Sequence, residues 1–282
     1  MPKILYKDLL RKPEYEFMRA QYLNDNLGFL IISGSNSFGT NLNESDLDIR
    51  GFVYETQKEI LLVDKTKSTY VDEPTDTTIY KFNHFIDMLS KGNTTQIEYL
   101  GVEDDCIIIM DNVSEYIINN RKEFLTRDFV KRTYGYILSD IKHIEKYKSQ
   151  LIKENVENII NPDTERIFKK INKKLAHIYR LIFTLKDFYN TGDIITNRGS
   201  KINYLLDLRK GVYIKDINKY GVVRFENSIN AILCNIKSDL DKVISKLENK
   251  QIKENVNIKF VKELVFEVNL ATANNQNPCI KF

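Results

Sequence analysis

Tryptophan is missing from this chain, and histidine and cysteine occur only three times each among its 282 residues. His84, His143 and His177 lie far apart, and Cys106, Cys234 and Cys279 show no Cys-x-x-Cys spacing. These absences argue against a zinc finger, a disulfide framework and a His-Glu-x-x-His metalloprotease. No apolar run approaches the roughly 18–20 residues that span a bilayer. The opening MPKILYKDLLRKPEYE is too charged for a secretory signal. Unpaired cysteines fit a reducing compartment, so a cytoplasmic location is expected, with no membrane partner. The sixteen tyrosines are scattered and form no stripe suited to stacking single-stranded bases. With imidazole and thiol chemistry set aside, carboxylates are left to carry any reaction.

The net charge of +3 conceals an asymmetry. Residues 1–120 hold 11 Lys+Arg against 20 Asp+Glu, whereas residues 121–282 hold 31 against 19. One half thus concentrates carboxylates that can hold cations, and the other offers positive charge to a polyanion. Lysine-rich solvated helices would produce the same balance, and the basic residues are dispersed except in RIFKKINKK (166–174).

The pattern predicts an α+β protein: a domain of mixed sheet and helices over 1–125 and an all-helical domain over 126–282. In the first, a helix is expected over Glu14–Asn26 and a buried strand over 28–33. A second strand with period-2 alternation follows over 46–54, then extended segments at 68–71 and 75–79 and a helix over 80–89. In the second, long amphipathic helices are expected at about 128–150, 163–190 and 226–248, with a shorter one at about 257–271. Ile167, Ile171, Leu175, Ile178, Leu181, Ile182 and Leu185 mark the apolar stripe of the second of these. Residues 193–211 read as a linker and a short helix.

The informative segment is GFLIISGSNSFGTNLNESDLDIRGF (28–52). A strand ends at Ser33, and Gly34-Ser35 follow. Gly34 lets a phosphate approach the backbone, Ser35 adds a hydroxyl, and a short helix starting here would aim its N–H groups at the same anion. Gly-Ser after a strand is by itself a common turn. Asp46-Leu47-Asp48 gives it weight. On a strand, residues two apart share a face some 6.5–7 Å apart, so Leu47 and Ile49 would face the core. Two carboxylates on one face repel unless a cation lies between them, and magnesium, an oxygen-seeking ion, meets that need.

Gly34-Ser35 followed by Asp46-x-Asp48 resembles the signature of the DNA polymerase beta nucleotidyltransferase superfamily. The fuller pattern, with Phe38-Gly39, Ser45, Arg50 and Gly51, resembles a bacterial and phage group of nucleotidyltransferases within it. Asp76 in TDTTIYKF, Gly92-Asn93, Ile97-Glu98-Tyr99-Leu100, the KKLAHIYRLIFTLKDFYNTGDI segment (173–194) and Leu208–Gly211 support the likeness. Thr94 departs from it, standing where the group usually has proline. The resemblance covers roughly residues 28–215. It implies an N-terminal polymerase-beta-like catalytic domain in which Asp46, Asp48 and a third carboxylate hold two Mg²⁺ ions. Gly34 and Ser35 would receive the triphosphate, with Ser45 and Arg50 beside them. Asp76 is the third acid by its alternation with Thr78 and Tyr80, and Asp72 competes for the role. Lys173, His177 and Arg180, on one helix face, would grip phosphate oxygens. An exposed helix face is the plainer account of those three, and an ion pair to Asp48 is the plainer account of Arg50.

The expected reaction is transfer of a nucleoside monophosphate from an NTP, ATP being the first candidate, to an acceptor hydroxyl with release of pyrophosphate. The basic second half favours RNA, such as a tRNA 3′ end, as acceptor. The alternatives are a catalytically silent nucleotide-sensing module and a toxin–antitoxin-type enzyme that modifies a protein partner.

Overall fold

The computed structural model describes residues 6–16, 26–42, 45–63, 68–156, 163–215 and 217–278. The fold is α+β. Two compact units divide the chain: Met1–Phe129 with Ile194–Asn197 and Lys253–Phe282, and Val130–Asp193 with Arg198–Ile252.

The first unit is built on β1 (Leu27–Ser33), α1 (Gly34–Ser37), β2 (Asp48–Val53), α2 (Gln57–Leu61), β3 (Thr69–Asp72) and β4 (Thr77–Lys81). It continues through α3 (Phe82–Ser90), α4 (Thr94–Tyr99), β5 (Ile107–Met110) and α5 (Asn112–Asn119). The strands form one mixed sheet in the order β3-β4-β2-β1-β5. β1 runs antiparallel to both β2 and β5, β2 is parallel to β4, and β3 closes the edge antiparallel to β4.

Alternation along β1 sorts the core into two layers. Leu30 and Ile32 join Ile49, Val53, Ile79, Leu9 and Tyr15 on one face. Phe29 packs on the other with Phe52 (ring centroids 5.9 Å apart) and Phe85, and Phe52 meets Phe82 edge-on at 5.3 Å. Aromatic pairs in this geometry add to the free energy of burial. Helix starts follow local chemistry. Thr56 and Glu59 form a capping box at α2, and Asp111 and Ser114 form one at α5.

Several boundaries differ from the sequence expectation, for identifiable reasons. β2 begins at Asp48, not at 46, because its antiparallel partner β1 ends at Ser33, which pairs with Asp48. Asp46 and Leu47 therefore lie in irregular chain before the strand. β4 runs from Thr77 to Lys81, two residues later than expected, because residues 73–76 turn the β3–β4 hairpin and Asp76 takes a positive φ of 45°. β5, only four residues long, was not expected. The helix expected over Glu14–Asn26 lies mostly outside the described residues; Pro13–Tyr15 form a single 3-10 turn.

The remaining helices are α6 (Arg127–Val156), α7 (Thr164–Thr191), α8 (Ile202–Arg209), α9 (Ile217–Tyr220), α10 (Val222–Glu248) and α11 (Ile258–Ala273). In the second unit α7 packs against α8 and α10. All seven residues of the apolar stripe foreseen on α7 are buried. They meet a matching stripe on α10, where Phe225, Ile229, Leu233, Ile236, Leu240, Val243 and Leu247 recur every three or four residues. Among the described residues, no helix is long and apolar enough to cross a membrane.

Phe52 touches four other aromatic rings and is fully buried. Phe52→Ala should cost about 3–5 kcal/mol, read as a lowered melting temperature in a thermal denaturation followed by circular dichroism. A loss well under 1 kcal/mol would show that this aromatic layer does not hold the sheet to its helices.

Candidate active site

The site is assembled at the end of β1. Ser33 is extended, and Gly34 then turns the chain into α1 with φ of +63°, a region that side chains avoid. The turn has a second requirement. A Cβ built on Gly34 would stand 1.9 Å from Oδ2 of Asp48. The Asp48 carboxylate thus rests directly on the glycine backbone, at the start of β2. The Ser33 hydroxyl donates to the Asp48 carbonyl at 3.2 Å and closes the same corner. Gly51, the next strand position after Arg50, is equally constrained, because a Cβ there would lie 2.0 Å from the Phe29 carbonyl oxygen.

Asn36 on α1 donates to the Asp46 carbonyl at 3.1 Å, which ties the turn to the loop before β2. The Asp46 side chain is exposed. Ser45, expected beside the nucleotide, accepts from the Leu42 N–H at 2.8 Å and braces that loop.

Arg50 organises the carboxylates. It follows Asp48 on the same face of β2, and its side chain is only 16% exposed. Nη2 donates to Oδ1 of Asp48 at 3.2 Å and to Oδ1 of Asp76 at 2.8 Å. Nη1 donates to the Ile49 carbonyl at 2.9 Å and to the Asp76 carbonyl. Burial works against the guanidinium charge, but the bond to Asp76 and the surrounding anions outweigh it and hold Arg50 more firmly protonated than usual. The parallel pairing of β2 with β4 brings Asp76 here, since Ile49 opposes Thr77. Asp72 is used elsewhere: its Oδ2 accepts from the Thr75 N–H and hydroxyl and closes the β3–β4 hairpin.

Two tyrosines line the same face, a role that sequence reasoning missed. Tyr99 on α4 is buried, lies within reach of the charges of Arg50 and Asp48, and has its hydroxyl pushed far up by burial. Tyr80 on β4 is also raised by burial and is hydrogen-bonded to Tyr99 and Gln96. Both therefore stay neutral. The alternation of Tyr80 with Thr78 and Asp76 was visible, but its meeting with Tyr99 across β4 and α4 depends on tertiary packing.

The donors at this corner are all carboxylate or hydroxyl oxygens, which suits a hard cation such as Mg²⁺. The cradle that Gly34 opens for Asp48, and the guanidinium already lodged between Asp48 and Asp76, mark a place built around positive charge. Among the described residues, no three acidic, imidazole or thiol side chains are gathered as a ready metal cluster. Asp46 precedes the strand, and Arg50 stands between the other two carboxylates.

In the second unit, Asp140 of α6 gathers two of the basic residues of α7. It accepts from Lys174 Nζ at 2.5 Å and lies 2.6 Å from His177 Nδ1. Burial alone would raise the Asp140 pKa, but the bonds from His177 and Lys174 hold it below its ordinary value of 3.8. Lys173 faces outward with Arg166, Lys169 and Lys170 around a concavity of about 430 Å³. Arg180 is half-buried farther along α7. Asp140 was not singled out from the sequence, although an acid flanked by Ile137, Ile141 and Ile144 at helical spacing is a recognisable signal.

A mixed sheet with Gly-Ser at a strand exit and aspartates against it is the arrangement of the class the sequence resembled, and the chain is a member of the DNA polymerase beta nucleotidyltransferase superfamily. More specifically, it belongs to RlaP, the RNA repair pathway DNA polymerase beta family, whose model matches residues 16–196, more than half of the chain. The match takes in the Gly34–Gly51 motif, Asp76 and the α7 residues, and ends before Leu208–Gly211. No curated protein matches the chain.

Two outcomes check this geometry. Gly34→Ala should destabilise by about 1–2 kcal/mol from the positive φ alone, with a further cost from the collision with Asp48. In an Asp48→Ala background most of that further cost should disappear, since only the Cβ at 3.2 Å remains, so strictly additive losses in a double-mutant cycle would refute the contact. Asp140→Asn should also destabilise the fold at pH 7. Because the native pKa lies below the unfolded one, the stability contributed by ionised Asp140 is complete above about pH 4 and is lost as pH falls further. The gap between wild type and variant in denaturant titrations should therefore narrow in acid; a gap that widened there would contradict the assigned partners.

Proposed function

We propose that the protein transfers a nucleoside monophosphate from an NTP to a hydroxyl at an RNA end, releasing pyrophosphate. The observation that carries this reading is the Asp48 carboxylate seated on Gly34 at the exit of β1, in a chain of an RNA repair family. The free thiols of Cys106 and Cys234 suit a reducing cytoplasmic setting.

In this reading Asp46 and Asp48 hold Mg²⁺, and Asp76 is the third carboxylate. Bound there, Mg²⁺ would neutralise charge on the transferred phosphoryl group and lower the pKa of the attacking hydroxyl. Gly34 and Ser35 bind the triphosphate, with ATP the expected nucleotide. The acceptor oxygen forms a bond to the α-phosphorus, the bond from that phosphorus to the β-bridging oxygen breaks, and pyrophosphate leaves. The acceptor's proton passes to Asp76, which is half-exposed and held through one oxygen by Arg50. Tyr80 and Tyr99, kept neutral by burial, serve as hydrogen-bond donors and not as bases. Lys173, His177 and Arg180 are assigned to phosphate binding, with Asp140 orienting His177.

Charge balance bears on the number of ions. Three carboxylates and Arg50 leave two negative charges, which one divalent cation neutralises; the second is then expected to arrive with the triphosphate.

A second reading, a nucleotide-binding module without turnover, is favoured by one observation: the carboxylates are not gathered as a metal cluster among the described residues. Incubation with α-labelled NTPs, Mg²⁺ and RNA bearing a free 3′ end distinguishes the two. Label should enter the RNA, and Asp46→Asn or Asp48→Asn should lower the rate on the order of a thousandfold. Undiminished transfer by either variant overturns the mechanism, and NTP binding without transfer to any RNA selects the silent module.

A further inference from the structure

We infer that the second unit carries a binding surface for single-stranded RNA on the C-terminal half of α7, where two aromatic rings each lie beside two lysine ammonium groups. Lys186 and Lys201 both lie 5.8 Å from the ring centroid of Phe183. Six residues later, Lys246 and Lys250 lie 5.6 and 5.3 Å from the ring of Tyr189, and Lys250 also donates to the Phe188 and Tyr189 carbonyls. Between α7 and α10 the surface sinks into a concavity of about 250 Å³, lined by Lys186, Tyr189, Asp239, Lys242 and Lys246. The single carboxylate in that lining, Asp239, is already paired with Lys186 at 2.9 Å. Lys242 and Lys246 are exposed and have no carboxylate partner among the described residues.

The chemistry selects the occupant. A nucleobase stacks on an aromatic face, and the phosphates that flank it meet ammonium groups; single-strand readers alternate these two elements. Phe183 and Tyr189 are about 9 Å apart along the helix axis and about a third of a turn apart around it, so a strand that reaches both rings curves around α7 past Lys186. A duplex keeps its bases inside the stack and offers the rings nothing. Four of the residues, Lys201, Lys242, Lys246 and Lys250, lie beyond residue 196, where the family match ends. In sequence the tyrosines look scattered; folding brings α7, α10 and the segment before α8 together around two of the rings.

The inference rests on RNA as the acceptor, but its test is independent of catalysis. Fluorescence anisotropy of a labelled, unstructured oligoribonucleotide of about 15 nucleotides, without NTP or Mg²⁺, reads binding alone. The Lys242→Ala/Lys246→Ala double variant should bind about tenfold more weakly, and the slope of log affinity against log salt should shrink by about 1.4, the value for two lost phosphate contacts on a single strand. Tyr189→Ala should weaken binding about tenfold, whereas Tyr189→Phe, which keeps the ring, should bind like wild type. Circular dichroism melts verify that each variant is folded. An unchanged affinity in both the lysine and the Tyr189→Ala variants overturns the surface. So does equal affinity for duplex RNA, or equal displacement of the RNA by polyglutamate, since either would mean that charge alone is recognised. If these variants lose binding while no nucleotide transfer is found, the surface stands and the transferase reading falls.

Discussion

The corner where Asp48 rests on Gly34 imposes conditions in both directions along the chain. For the carboxylate to lie there, residue 34 must lack a side chain and must take a left-handed conformation, which ends β1 and starts α1. The end of β1 in turn removes the partner that would extend β2 backwards, so β2 begins at Asp48 and Asp46 is left in the loop. The side-chain parity of β2 then points Arg50 to the same face as Asp48, and the parallel partner β4 brings Asp76 to the same guanidinium nitrogen, Nη2. One close contact thus sets a strand end, a helix start, a register and a charge arrangement.

Arg50 makes that arrangement tolerable. Two carboxylates near one buried edge repel, and a guanidinium with donors to both removes the repulsion in the absence of any other cation. Its planar fork also reaches two backbone carbonyls, Ile49 and Asp76, which a lysine ammonium could not satisfy with the same rigidity. The chain therefore carries its own counter-charge at the place where a metal–nucleotide complex is proposed to bind.

How much of this could be read from the residues depended on whether the determinants were local. The buried run of β1, the parity that sends Ile49 inward and Asp48 outward, and the apolar stripe of α7 follow from periodicities of two and 3.6 and were legible. The start of β2 was not, because it is decided by where β1 ends. β5 escaped because four apolar residues are too few to distinguish a strand from other short buried runs. Asp76 could be preferred over Asp72 by alternation, but its pairing with Arg50 needed the β2–β4 register. Asp140 was overlooked even though its place among isoleucines on α6 was a local signal. The lysine-flanked rings of α7 were hard to see because, apart from Lys186 on α7 itself, their lysines come from α10 and the segment around Lys201.

The sign asymmetry along the chain has a physical logic that the two sites make explicit. A carboxylate meant to hold a metal must not be neutralised beforehand, and Arg50 already shows how firmly a nearby cation captures such groups. Lysines scattered among Asp46, Asp48 and Asp76 would compete for the same oxygens and leave a structural ion-pair network. A surface meant for a polyanion has the opposite requirement, an excess of ammonium groups: Lys186, Lys242, Lys246 and Lys250 outnumber Asp239, Asp241 and Glu248 along this part of α7 and α10, and Asp239 is paired with Lys186. Acidic and basic functions in one small protein are thus best kept in different stretches of chain, and a near-neutral total conceals two local excesses of opposite sign.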